Sequence, residues 1–161
     1  MSDKSEFCEI VRSSLVCLNR EERCGRDLIA GLLMEAAKAG LLEKGDLPKA
    51  LRAVMNREAS ASTALPGGIA LPHGRVRFSD RLICLIGIHQ QGVDFQAPDG
   101  GLTHIFVVLL VPLTLGCMHI QFLAHLSKRL LEPSVCHDLL AATERDEVIN
   151  SLLNQVEEGV E

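Results

Sequence analysis

Two uninterrupted apolar runs constrain this chain more than anything else in it. Leu82 to His89 holds only Gly87 as a weak point, and Ile105 to Val111 runs unbroken until Pro112. A strand with one wet face alternates apolar and polar side chains. An unbroken run of this length instead fits a strand buried on both faces. Helices must therefore cover both sides of the sheet that holds these strands.

The flanking segments can supply them. Arg26 to Ala39 sets Leu28, Ile29, Leu32, Leu33 and Ala36 on one helical face, and Gly40 stands where a helix stops. Asp46-Leu47-Pro48 opens a second helix, with Asp46 as its cap and Pro48 in its first turn. Its buried side is Leu47, Leu51, Val54 and Met55, and it carries Arg57 and Glu58 near its end. Gly68 to Leu71 reads as a short strand. Beyond Pro112, His119, Leu123, Leu126 and Leu130 recur at helical spacing. Pro133-Ser134 starts a short helix through Leu139 and Leu140. Thr143-Glu144-Arg145-Asp146 has the form of a capping box, with Asp at the usual Glu or Gln position. Behind it Val148, Ile149, Leu152, Leu153 and Val156 make the apolar face of a last helix. The first few residues read as a loose tail. No repeat or linker divides the chain, so residues 1–161 are expected to form one α/β domain, with its core in about 10–156 and short loose termini.

Composition removes several function classes. The formal charge is −5, and no Lys/Arg cluster forms a basic patch; Arg75-Val76-Arg77 and Lys128-Arg129 read as solvated surface. Tyr and Trp are absent, so bases cannot stack on exposed aromatics as a main mode of binding. No nucleic-acid partner is expected. The six cysteines lack any C-x-x-C pair and read as free thiols in a reducing compartment. The polar, acidic start has no signal-peptide pattern. The stretch Ile105 to Leu115, broken by Pro112, is far short of the roughly 18–20 residues of a membrane span. A soluble, cytoplasmic protein is the expectation.

His73 is the strongest candidate for chemistry. Pro72 fixes its own φ and biases Leu71 toward extended geometry. Gly74 is expected to free the backbone after His73 and leave room for a ligand or a partner's backbone, as Gly67-Gly68 frees it before the strand. Neutral imidazole is a competent nucleophile near neutral pH. On this local pattern alone, a histidine that merely bonds within a turn is the commoner outcome. His119 lies at the start of a predicted helix, where free N–H groups favour anions, and a partly buried polar residue fits there equally well. Arg57 and Arg75 are cations whose planar forks suit phosphoryl oxygens. A metal site from His73, His104 and His119 lacks the close spacing of a zinc motif. His89, His125 and His137 carry little information.

The ordered blocks Arg57-Glu58-Ala59-Ser60-Ala61-Ser62-Thr63, Gly68-Ile69-Ala70-Leu71-Pro72-His73-Gly74-Arg75, Asp99-Gly100 and His119-Ile120-Gln121-Phe122-Leu123-Ala124 resemble one known family. It is the IIA domain of the bacterial phosphoenolpyruvate:sugar phosphotransferase system, in its fructose/mannitol and nitrogen-regulatory branch. The resemblance implies a mixed β-sheet with helices on both faces. It implies that His73 accepts a phosphoryl group from a histidine-containing phosphocarrier protein (HPr or its nitrogen-branch equivalent), forming a tele-phosphohistidine. His119 and Arg57 would stabilise the phosphate, with Gly74 and Arg75 in support. The group then passes to a IIB component, or the phosphorylation state signals to a regulated protein. A chain without fused IIB or IIC segments leans toward regulation. Membrane association would be indirect, through a transporter, and no metal or organic cofactor is implied. The alternative is a relative that binds proteins or metal without phosphotransfer. Docking is expected on an apolar ring around His73.

Overall fold

The computed structural model describes residues 3–154, which form six helices and six strands in one mixed sheet. The two apolar runs become its centre. Strands β5 (Ile83–Val93) and β6 (Thr103–Pro112) pair antiparallel from Ile83↔Leu110 to Ile88↔Ile105, and resume at Val93↔Thr103 after a break in register. β1 (Leu15–Cys17) runs parallel along the other edge of β5. Beyond β6 lie β3 (Ile69–Ala70) and β4 (His73–Val76), both parallel to it. β2 (Ala64–Leu65) pairs antiparallel with β3.

Both faces are buried, and the pleat of β6 divides them. Ile105, Val107, Leu109 and Val111 enter one core, while Phe106, Val108 and Leu110 enter the other. The first core is covered by α1 (Asp3–Arg12), α4 (Met118–Leu130), α5 (Pro133–Ala141) and α6 (Arg145–Leu153). The second is covered by α2 (Gly25–Lys38) and α3 (Leu47–Ser60). At Gly87 a Cβ would lie 2.9 Å from Leu32 Cδ1, so the weak point of the run is where α2 lies closest. Helix α2 ends as Gly40 suggested. Gly40 takes φ +79°, its N–H bonds Ala37 O, and Leu41 N–H reaches back to Ala36 O.

Several local expectations fail for physical reasons. The N-terminal segment is not a loose tail from Asp3 onward. Phe7, Cys8 and Val11 share a helical face that α1 buries in the first core. Asp46 does not cap α3: it ends a short 3-10 turn in helical geometry, and its carboxylate lies 3.5 Å from Lys49 Nζ instead. Thr143 bonds Glu147 through both its amide and its hydroxyl, so the box closes one residue later than Asp146. The strand that the run Ile105 to Val111 marks begins earlier, at Thr103, and so includes His104. Val156 lies outside the described residues. All six cysteines are free thiols; burial pushes the Cys84 thiol up to about 12, although a bond with Ser14 opposes the shift. Among the described residues no helix is long and apolar enough to cross a membrane.

A break in the sheet edge positions His73. β3 and β4 share a single register along β6, Ala70↔Phe106 and then His73↔Leu109, so they form one line broken at Leu71-Pro72. Pro72 has no N–H to give, yet its carbonyl still accepts Leu109 N–H at 2.9 Å. Leu71 turns its N–H off the line to Thr63 O at 3.2 Å.

Candidate functional site

The strand break sets His73. Its Nδ1 lies 2.9 Å from the Leu71 carbonyl oxygen. A carbonyl can only accept, so Nδ1 carries the proton and Nε2 keeps its lone pair. Burial of the ring lowers its pKa below the ordinary histidine value. The bond to Leu71 pulls it up, Arg57 and His119 push it down further, and Glu58 opposes them. Near neutral pH the result is an uncharged imidazole with a free Nε2, which is a nucleophile.

The charge of Arg57 acts on this ring, and Gly74 lets the helix that carries it lie close to β4. A Cβ on Gly74 would lie 2.6 Å from Ala53 C and 2.7 Å from Val54 N, both backbone atoms of α3. Only a residue without a side chain lets the helix lie this close to β4. Arg57 stands one helical turn beyond Ala53, in the last turn of α3. Its Nη1 donates to Ala61 O at 2.9 Å. Gly74 therefore leaves no room for a ligand: the space that its missing side chain opens is filled by α3.

His119 is the second residue of α4, and its Nδ1 donates to Gly116 O at 2.9 Å. That assigns its proton in the same way and leaves Nε2 for another partner. Arg75, two residues after His73 on β4, donates from Nη2 to the same Gly116 oxygen at 3.1 Å. Gly116 has φ +59°, a backbone geometry that favours glycine. Its carbonyl ties β4 to the start of α4. Arg57 and a protonated His119 act electrostatically on His73, and Arg75 ties β4 to the loop.

Some contributors were not read from the sequence as site residues. Glu58 accepts Thr63 N–H at 2.9 Å and the Thr63 hydroxyl at 2.6 Å. Asp99 accepts N–H bonds from Gly67 and Gly101, each at 3.1 Å, and these bonds hold its pKa down. The first of them fixes the Gly67-Gly68 turn, where φ is +94° and +84°. A carboxylate that binds backbone several residues away leaves no periodic signal in sequence. The Leu71 and Gly116 carbonyls leave none at all.

The remaining histidines lie elsewhere. The register partners of β3 and β4 place His104 five residues along β6 from Leu109, roughly 16 Å from the level of His73. The His73, His104 and His119 trio therefore cannot share one metal ion. His104 Nδ1 instead meets the carbonyls of His89 and Gln90, each at 3.1 Å. His89 is buried, with Nε2 donating to Glu22 O at 2.8 Å and Nδ1 accepting Gly92 N–H at 2.9 Å. His125 and His137 are exposed. Ile120 and Leu113, close in sequence to His119 and to the end of β6, are exposed apolar side chains. A cleft of about 500 Å³ lies between α1, α4 and the segment 80–82, and His119 lines it together with Phe7, Leu82 and Phe122.

Fold and site together define a small α/β domain built around an uncharged, tautomer-fixed histidine at a broken sheet edge. The chain belongs to the family described as the phosphoenolpyruvate-dependent sugar phosphotransferase system, EIIA 2, whose model matches residues 9–155. The fructose-specific EIIA component of Haloferax volcanii is 29% identical over 155 residues, covering 96% of this chain and 99% of that protein. The fructose-specific EIIABC component of Bacillus subtilis is 27% identical over 150 residues; the match covers 93% of this chain but only 23% of that longer protein. Among solved structures, the nitrogen regulatory protein IIA-Ntr from Neisseria meningitidis superposes with a TM-score of 0.79 at 26% identity, covering 91% of this chain and 99% of that one.

Proposed function

We propose that the chain is a phosphocarrier, acting as a single EIIA domain, in which His73 Nε2 takes a phosphoryl group from a histidine-phosphorylated carrier protein. The observation that carries this reading is the bond from His73 Nδ1–H to Leu71 O, which leaves Nε2 as the nucleophile. In the transfer the donor's N–P bond breaks as the Nε2–P bond forms. The His73 ring gains positive character, and the Leu71 carbonyl receives that charge through the Nδ1 proton. Arg57, and His119 when its Nε2 also carries a proton, discriminate by charge: they disfavour a proton on His73, and they favour the anionic oxygens of a phosphoryl group in the same place. No metal or organic cofactor has a role in this scheme.

Ile120 and Leu113 supply apolar surface for a docking partner that must exclude water from the transfer. Onward transfer goes to a IIB component, or the phosphorylation state is read by a regulated protein. Fructose-specific and nitrogen-regulatory relatives both match, so either destination suits the site. The test is labelling from phosphoenolpyruvate through the first enzyme of the system and its carrier protein. The wild-type chain is expected to take an acid-labile phosphate and His73→Ala none. Persistent labelling of His73→Ala would overturn the assignment.

A further inference from the structure

Nothing in the transfer scheme accounts for Glu58, although it lies beside Arg57 and its charge reaches His73. Its half-buried carboxylate makes two bonds to one residue, the Thr63 amide and the Thr63 hydroxyl. Bonds to an ionised acceptor are roughly twice as strong as neutral ones. Thr63 in turn offers its carbonyl to Leu71 N–H at 3.2 Å, and the Leu71 carbonyl accepts the Nδ1 proton of His73 at 2.9 Å. A continuous chain of bonds therefore runs from the end of α3 to the reacting ring.

The geometry at Leu71-Pro72 gives that chain its consequence. Pro72 confines Leu71 to extended ψ, so the direction of the Leu71 carbonyl follows from where its N–H is held. The segment is pinned on one side by Pro72 O to Leu109 N–H, which β6 supplies. The other pin is Thr63 O; the β2–β3 pairing holds Thr63 from the Ala64 side, and Glu58 holds its amide and hydroxyl. Without the Glu58 bonds Thr63 is held from one side only, and the Leu71 carbonyl that fixes the proton on Nδ1 loses part of its support.

We propose that Glu58 is a positioning residue that sets the tautomer of His73, acting through Thr63 and the Leu71 backbone. Its importance for transfer rests on His73 being the acceptor, while the tautomer itself can be measured without any phosphate donor. Glutamine can replace both bonds, its carbonyl oxygen accepting the Thr63 amide and its NH₂ donating to the Thr63 hydroxyl. Alanine can replace neither.

The experiment is a long-range ¹H–¹⁵N correlation of the histidine rings in the ¹⁵N-labelled full chain, with labelling kinetics in parallel. Wild type is expected to show His73 in the Nδ1–H form. Glu58→Ala should move it to a mixture of tautomers and slow labelling by roughly tenfold to a hundredfold. Glu58→Gln should restore the wild-type ring signals and bring labelling to within about twofold. An unchanged tautomer in a folded Glu58→Ala chain overturns the proposal. So does a Glu58→Gln chain that behaves like Glu58→Ala, because charge and not positioning would then be at work. If Glu58→Ala does not fold, Thr63→Val removes the hydroxyl bond alone; it should give a smaller shift of the same sign, and no shift there refutes the relay. If wild type takes no label yet shows the expected tautomer and its loss, the phosphocarrier reading fails and the positioning role stands.

Discussion

Gly74→Ala is the substitution that ties stability to the site most directly. The added Cβ would meet Ala53 C at 2.6 Å, Val54 N at 2.7 Å and Ala53 Cβ at 2.9 Å. Ordinary contact between carbon atoms lies near 3.5–4.0 Å, so α3 must retreat from β4 by about 1 Å. The nearest atoms belong to helix backbone and cannot rotate away as a side chain would. Overpacking of this kind costs about 1–3 kcal/mol. For a domain of this size that lowers Tm by roughly 2–12 °C. Arg57 rides on the same helix and moves with it, and a displacement of about 1 Å at a reacting centre can cost up to roughly a hundredfold in rate. Thermal unfolding and labelling kinetics on one preparation read both effects. Gly100→Ala is the control: φ there is +72°, but nothing lies within 4 Å of the added carbon. That control should lose stability only through backbone strain and keep the labelling rate. Gly74→Ala with wild-type Tm and wild-type labelling would refute the close-approach argument.

Three further outcomes are expected. His119→Ala should still take label but should transfer or release it more slowly, because a phosphate-stabilising group is lost while Nε2 of His73 remains; quench-flow labelling checks this, and unchanged rates in both directions would remove the role. The lowered pKa of His73 carries a definite sign. The unfolded chain binds its proton first as pH falls through about 6.5, so stability held above that value is lost in the interval just below it. Denaturant midpoints against pH should therefore fall more steeply for wild type than for His73→Ala, and parallel curves would contradict the assignment. His89→Leu strands the Glu22 carbonyl and the Gly92 N–H in a buried setting. At about 1–3 kcal/mol for each unpaired group, urea unfolding should show a loss of roughly 2–6 kcal/mol, and a midpoint equal to wild type would refute the accounting.

The main architecture was legible from the sequence because it depends on patterns that the chain repeats. Leu82 to His89 and Ile105 to Val111 are apolar on both faces, and burial on both faces forces helices onto both sides of the sheet. The helices containing Leu28 to Ala36 and Leu123 to Leu130 announce themselves by their period. Helix α1 was missed because its apolar residues, Phe7, Cys8 and Val11, are few and set among charges, so only packing against α6, α4 and the sheet makes it a helix of the core. β1, β2 and β4 are two to four residues long, and strands so short exist only through their partners.

At the site the same division holds. Sequence alone singled out His73, His119 and Arg57 as residue types in a suggestive order, and family likeness supplied what that order could mean. Gly74 was read for its backbone freedom, yet its use is to admit α3. Arg75 was read as a supporting cation for phosphate, and it also bonds a loop carbonyl. The protonated nitrogen of His73 could not be read from the residues themselves, because it depends on where a backbone carbonyl points; only the family likeness implied a free Nε2. Side-chain identity is written in the chain one residue at a time. The direction of a carbonyl and the distance between a helix and a strand arise only when remote segments pack, and those two quantities set the proton and the surroundings of His73.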